Sequence, residues 1–309
     1  MASHVFGPVP SRRLGRSLGV DLVPFKTCSY DCIYCQLGRT TNKTIERKEW
    51  VPLEEVVAEL GAALSSEPDY ITLSGSGEPT LYSRTGELIE RIKTITRVPV
   101  AVLTNGSLLW QPEVRAELMP ADLVIPSLDG GDEAVFRAVN RPHREIPFER
   151  MMEGLITFRA EFQGQYWLEV FLLAGHNVAD ADIEKLANRV KQIRPDRVQL
   201  NTVTRPPAEE FAVMVKQQRL YELAEMFTPR AEVIADFRGV HQRQEFAAGR
   251  ASILALLQRR PCSIEDIASG LGMHRNEVVK YVEELSAQGA INHTLTAGKL
   301  YYKAIAPSA

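Results

Sequence analysis

TCSYDCIYCQLG, residues 27–38, comes just after the apolar run SLGVDLVPF (residues 17–25) and sets Cys28, Cys32 and Cys35 in a C-x3-C-x2-C pattern. Three of the four cysteines in the chain thus fall within eight residues. Such crowding in a cysteine-poor chain points to a shared ligand or redox role. In a reducing compartment these are metal-binding or catalytic thiolates, since a disulfide would leave one of the three unpaired. On this stretch alone two ligands stay open: zinc closed by a histidine, or an iron–sulfur cluster.

Outward from the loop the chain alternates. PLEEVVAELGAALSS has apolar residues at helical spacing, and YITLSGSGEPTLY is a short apolar run ending in a glycine turn. GELIERIKTI reads as a helix, VPVAVLTNGS as a strand ending in Thr104-Asn105-Gly106, QPEVRAELM as a helix, and ADLVIPSLDGG as a strand ending in Ser127-Leu128-Asp129. Helices over 133–139 and 148–162 lead to the strand QYWLEVFLLAG. ADIEKLANRVKQI follows as a helix with Asp180 as its expected N-cap, then RVQLNTVTRPP as a sixth strand. Parallel neighbours need crossover connections, so six strands interleaved with helices predict an α/β fold, an open or closed barrel. Polar and glycine residues gather at the strand ends: the three cysteines, then Gly75 to Pro79, then Thr104 and Asn105, then Ser127 and Asp129. Parallel sheets bind ligands at the carboxyl ends of their strands, so these loops are expected to form one site.

With these motifs placed, the chain resembles the radical S-adenosylmethionine (SAM) superfamily over roughly residues 17–201. The C-x3-C-x2-C loop with Tyr34 before its last cysteine matches that superfamily's signature, and SGSGEPT resembles its glycine-glutamate-proline loop, with Ser76 between the usually paired glycines. The resemblance implies a partial (β/α)6 barrel. It implies that Cys28, Cys32 and Cys35 hold three corners of a [4Fe–4S] cluster, leaving one iron to chelate SAM. It implies reductive cleavage of SAM to methionine and a 5′-deoxyadenosyl radical, with an electron donor such as flavodoxin or ferredoxin. Backbone groups around Gly75, Gly77 and Glu78 are implied to receive the methionyl amino group, and Thr104, Asn105, Ser127 and Asp129 the methionyl carboxylate or ribose hydroxyls. Tyr34 and the strand from Val198 to Asn201 are implied to flank adenine. With the following loops in place, zinc becomes the lesser reading. Within the superfamily, the segment from Val5 to Gly38 together with NRPH and QLNTVTRPPAE resembles iron–sulfur oxidoreductases related to the wyosine-tRNA synthetases. The additional cysteines of the wyosine-forming enzymes have no counterpart here, so wyosine synthesis is not expected, nor are auxiliary-cluster peptide modifications.

Beyond the barrel, expected to span 1–237, the polar stretch RGVHQRQEF suggests a linker over 238–248. Residues 249–309 then show three helical patterns and two β-rich runs around Ala297-Gly298, the pattern of a winged helix-turn-helix with Ser263 as an N-cap and Gly272 at the turn. Its second helix, Met273 to Gln288, sets His274, Arg275 and Lys280 against Glu277, Glu283 and Glu284, a poor balance for phosphate contacts, so DNA is not an expected partner. Cys262 lacks cysteine neighbours and is expected to be structural. Arg12, Arg13 and Arg16 are either a solvated turn or anion ligands at the barrel mouth. Asn140, Arg141 and His143 either cap a helix or line that mouth, Asp129 and Glu169 are candidate strand-end acceptors, and Arg205 is a further candidate substrate contact.

Composition bounds the rest. The 309 residues are 45% hydrophobic and 24% charged with a formal net charge of -3, so no global field draws the chain to nucleic acid or anionic membrane. No apolar run reaches the roughly 18 residues of a spanning helix, and a cytoplasmic protein is expected. The leading expectation is therefore a one-cluster radical SAM enzyme acting on an RNA base, a peptide or a small metabolite. The competing expectation is an iron–sulfur or metal-dependent DNA-binding redox regulator that leaves SAM intact.

Overall fold

The computed structural model describes residues 4–11, 13–235, 250–271, 273, 275–296 and 298–305. The expected linker over 238–248, Arg12, Gly272, His274 and Ala297 lie outside the described residues. In chain order the first part contains β1 (Val5–Ser11), β2 (Gly15–Val20), β3 (Thr27–Cys28), β4 (Asn42–Lys43), α1 (Leu53–Ala63), β5 (Tyr70–Leu73), α2 (Thr85–Ile95), β6 (Val100–Thr104), α3 (Pro112–Leu118) and β7 (Leu123–Pro126). There follow α4 (Glu133–Asn140), α5 (Phe148–Glu161), β8 (Gln165–Ala174), α6 (Asp180–Ile193), β9 (Arg197–Thr202), β10 (Val213–Met214), α7 (Gln217–Ala224) and β11 (Glu232–Val233).

The six expected strands are β2, β5, β6, β7, β8 and β9, which lie side by side in sequence order and all pair in parallel. Their runs are apolar on both faces because both faces are covered. Val100, Val102, Val124, Leu168 and Val170 turn outward into the core shared with the helices, where α1 adds Leu53, Val56 and Leu60 and α6 adds Ile183, Leu186, Val190 and Ile193. Ala101, Leu123, Ile125 and Trp167 turn inward and meet Leu14. Each fully buried aliphatic side chain contributes about 1.5–3 kcal/mol.

One feature was not expected. The strand β1 adds an antiparallel edge beside β2, with a register shift between Phe6 and Val9. Pro8 and Pro10 lie in this strand, and proline is tolerated there because an edge strand has one side without a ladder partner. The sheet curls in keeping with the expected barrel, so that Arg13 in the β1–β2 turn reaches across to Gln199 of β9, its Nη1 donating to Oε1 at 3.1 Å. One local expectation is corrected. Asp180 is the first helical residue of α6, and Ala179 holds the cap position without a side-chain bond. The carboxylate still favours the helix start through the dipole, and it pairs with Arg219 at 2.5 Å.

The last part contains α8 (Arg250–Arg259), α9 (Ile264–Leu271), α10 (Arg275–Ala287) and an antiparallel hairpin, β12 (Ile291–Thr296) with β13 (Lys299–Ala304). Ser263 caps α9 as expected: its Oγ accepts from Asp266 N at 3.2 Å while the Asp266 carboxylate accepts from Ser263 N at 3.1 Å. Ile253, Leu257, Ile267, Val278 and Leu285 form a core that continues onto Val9 and Phe6 of β1. The unexpected edge strand is therefore the floor on which this part packs. Among the described residues no helix is long and apolar enough to cross a membrane.

Candidate active site

The cysteine loop leaves β3 and is pinned by backbone bonds from three directions. Ile33 N donates to Val139 O at 3.0 Å, His143 N donates to Ser29 O at 2.8 Å, and Glu78 N donates to Thr27 O at 3.1 Å. The first two bonds tie the loop to the end of α4 and the turn after it, and the third to the glycine loop after β5. Gly77 shows why glycine is needed in that loop: a Cβ there would sit 1.7 Å from Thr27 O. The close approach that the glycine permits is to the cysteine loop itself.

Cys28, Cys32 and Cys35 border one cavity of about 430 Å³ at the carboxyl ends of the strands. Gly75, Ser76 and Gly77, Ser127, Glu169, Asn201 and Tyr34 line the same space. Five of the expected cofactor contacts, Tyr34, Gly75, Gly77, Ser127 and Asn201, are thus brought together with the cysteines. Glu78, Thr104, Asn105 and Asp129 stand behind the wall, committed to bracing bonds. The buried Glu78 carboxylate accepts from Thr80 Oγ1 and Thr104 Oγ1, each at 2.6 Å, and from Asn105 N at 2.7 Å. Asp129 accepts from the Tyr34 hydroxyl, from Asn140 Nδ2 at 2.6 Å and from Phe171 N at 2.8 Å. Tyr34 in turn stacks on Phe171, ring centroids 3.9 Å apart.

The thiols sit in a demanding electrostatic setting. Burial and the negative Glu78 push the Cys28 thiol up to about 12, and burial with Asp129 beside it raises Cys32 well above the ordinary range. Burial also raises Cys35, against the pull of Lys26 and Lys303. Opposing donors are already placed, with Asn105 Nδ2 3.6 Å from Cys28 Sγ and Asn140 Nδ2 3.5 Å from Cys32 Sγ. Tyr30 lines the cavity, and its buried Oη has no hydrogen-bond partner among the described residues. Three thiols that border one cavity, with two amide donors behind them, fit a sulfur-ligated centre, because donors to sulfur offset the burial of thiolate charge. Among the described residues no three His, Cys, Asp or Glu side chains are drawn together around a single ion.

The basic residues divide. Arg13 enters the cavity and pairs with Glu169, which also accepts from Asn201 Nδ2 at 2.9 Å. Arg16 turns away, donating to Ser66 O at 2.5 Å. Asn140 ends α4 and braces the site, Arg141 caps that helix with φ of 46° and pairs with Glu209, and His143 fastens Ser29. Arg205 lines the cavity, and Cys262 is buried in the last part of the chain. Sequence reasoning missed Tyr30, although it lies between the first two cysteines. It also missed Asp21, Arg259 and Arg260. Asp21 is buried and accepts from Ser76 N at 3.0 Å, Ser76 Oγ at 2.5 Å and Arg259 Nη1 at 2.5 Å.

The Radical SAM superfamily model matches residues 22–202. A protein named GTPase Obg from Brachyspira hyodysenteriae is 40% identical over 304 residues, 97% of this chain and 45% of that protein. The chain thus spans less than half of that relative, and it carries no G-x4-G-K-S/T phosphate loop of its own. A UPF0026 protein of Methanocaldococcus jannaschii is 34% identical over 309 residues, 96% of this chain and 94% of that protein. An S-adenosyl-L-methionine-dependent tRNA 4-demethylwyosine synthase of Pyrococcus abyssi is 24% identical over 191 residues, 54% of each. In fold the chain is similar to a radical SAM methyltransferase from Sphaerobacter thermophilus, with a TM-score of 0.55 at 20% identity, covering 72% of this chain and 67% of that one. With a strand-end cysteine site, a superfamily match over more than half its length and a UPF0026 relative aligned nearly end to end, the chain belongs to the radical SAM superfamily, among the UPF0026 proteins.

Proposed function

We propose that the chain holds one [4Fe–4S] cluster on Cys28, Cys32 and Cys35 and cleaves SAM reductively to a 5′-deoxyadenosyl radical that modifies a substrate. The observation that carries this reading is the shared cavity: the three thiols, the Gly75–Gly77 turn, Ser127 and Asn201 meet at the ends of successive parallel strands. Members of the superfamily are enzymes, and the family match supports SAM-dependent radical chemistry, so a regulator that leaves SAM intact is not favoured. When bound, the cluster and SAM supply the electron and the radical, and the protein supplies placement and exclusion of water.

The residues then divide by task. Asn105 and Asn140 donate toward the sulfur-rich end and favour its negative charge, and the Tyr30 hydroxyl is a further donor available there. The stacked Tyr34–Phe171 pair gives a flat apolar wall suited to adenine. Backbone groups of Gly75 to Gly77 face the methionyl end, with Ser127 and Asn201 as polar contacts. Glu78, Thr104 and Asp129 act as positioning residues through the loops that they brace.

The three C-terminal helices and the hairpin are read as a winged helix-turn-helix over 249–309, joined to a barrel over 1–237. Its packing on β1 and its contribution of Arg259 and Arg260 to the cavity lining support a role as a wall of the active site, in preference to a DNA reader. A flavodoxin or ferredoxin in the cytoplasm is the proposed electron source. Wyosine formation is not proposed, since Cys262, the one cysteine beyond the triad, is buried in the C-terminal core. Metal analysis of protein purified without oxygen tests the centre. One iron–sulfur cluster per chain that disappears in Cys28→Ala supports it, and a full zinc complement without iron overturns it.

A further inference from the structure

The cavity wall carries far more positive than negative charge. Arg13, Lys26, Arg205, Arg259 and Arg260 line it against the single carboxylate of Glu169. Most of these cations have identifiable work. Arg13 pairs with Glu169 and Arg259 with Asp21, while Lys26 lies on the Cys35 side of the cavity. Arg205 holds the neutral amide of Gln36, with Nη1 3.3 Å from Oε1.

Arg260 is different. Its Nη2 is buried and donates to no acceptor among the described residues. A guanidinium cannot shed its proton, so a buried N–H left without an acceptor is a standing cost that a bound oxyanion would remove. Arg205 lines the same cavity from the barrel side. Two planar forks from different parts of the chain, one following β9 and the other following α8, suit bidentate recognition of a phosphate or carboxylate.

We propose that Arg205 and Arg260 form an anion subsite for the substrate, and that the substrate is a small molecule bearing a phosphate or carboxylate. The proposal rests on the SAM-cleaving reading for the rest of the cavity. It favours a small molecule over RNA or peptide because the unsatisfied Arg260 N–H is itself buried, at a cavity of only about 430 Å³ lined by both the barrel and the C-terminal helices. The other source of a carboxylate is the methionyl end of SAM, and the experiment must separate the two.

Full-length reconstituted protein is titrated with inorganic phosphate, and separately with SAM, by calorimetry at constant ionic strength with chloride as the balancing salt. Wild type, Arg260→Gln, Arg260→Lys and Arg205→Gln are compared, each checked for an unchanged melting profile and cluster absorbance. Saturable phosphate binding that weakens fivefold or more in Arg260→Gln and Arg205→Gln, and less in Arg260→Lys, with SAM affinity unchanged, supports the subsite. Absence of saturable phosphate binding overturns it. A parallel loss of SAM affinity in Arg260→Gln also overturns it, by assigning the arginine to the SAM carboxylate. Failure of wild type to bind SAM at all, with phosphate binding intact, counts against the SAM reading and leaves the anion subsite standing.

Discussion

Arg259 Nη1 donates to the carboxylate of Asp21 at 2.5 Å, joining positions 238 residues apart in the chain. The same carboxylate takes both the N–H and the hydroxyl of Ser76. Ser76 is the residue that separates the usually paired glycines of this loop. The departure from the superfamily pattern is therefore a tie: the serine fastens the glycine loop to Asp21, and Asp21 fastens it to the end of α8. Arg259 also packs over the Phe6 ring at 5.1 Å, so the C-terminal helices grip the edge strand and the active-site loop together.

Breaking that tie from one side should be expensive. The Asp21 and Arg259 side chains are 4% and 15% exposed, and removing one partner of a buried pair costs about 3–5 kcal/mol because the other charge stays behind. Arg259→Ala is expected to lower the urea stability by that amount, whereas a paired Asp21→Asn, Arg259→Met variant should lose clearly less. A loss of under about 1 kcal/mol in Arg259→Ala would show a pair no stronger than a surface contact.

Gly77→Ala is expected to harm the cysteine loop, because the added methyl would meet the Thr27 carbonyl at 1.7 Å. Backbone cannot step aside as a flexible side chain can, so a cost of about 3 kcal/mol is expected. Thermal unfolding and iron content should fall together. Normal iron uptake in a stable Gly77→Ala protein would separate the two loops.

Asp129 gives the apoprotein a pH signature. Burial lifts its carboxyl from 3.8 to about 6, against the lowering effect of bonds from Tyr34, Asn140 and Phe171 N. A raised folded-state value means that its stabilising effect is complete below the unfolded value and is lost as pH rises through about 6. Compared with Asp129→Asn, the wild-type apoprotein should lose about 2 kcal/mol between roughly pH 4 and 7. Parallel pH profiles for the two proteins would remove Asp129 as the titrating group.

Much of this was legible in the sequence, for local reasons. The parallel strands announce themselves as short apolar runs, and their glycine and polar ends mark the site, because the carboxyl ends of such strands are where a parallel sheet opens. The spacing of Cys28, Cys32 and Cys35 needs only eight residues to be read. The edge strand β1 was hidden by its two prolines, which weaken a strand signal while leaving a tolerable edge. The Asp21–Ser76–Arg259 tie was invisible because nothing local links three positions so far apart. Glu78 entered the expected site through its backbone, and Asp129 either as a ligand contact or as a strand-end acceptor; the structure adds that both carboxylates accept bonds that brace neighbouring loops. Asp180 misled for a smaller reason: an acid favours both the cap and the first turn, and sequence cannot separate positions one residue apart.

Reductive SAM cleavage is tested most directly by product analysis of the reconstituted protein reduced with dithionite in the presence of SAM without oxygen. The wild-type chain is expected to give 5′-deoxyadenosine and methionine, and Cys35→Ala neither, with loss of the iron chromophore as well. A reduced, fully loaded wild-type cluster that leaves SAM intact would contradict it.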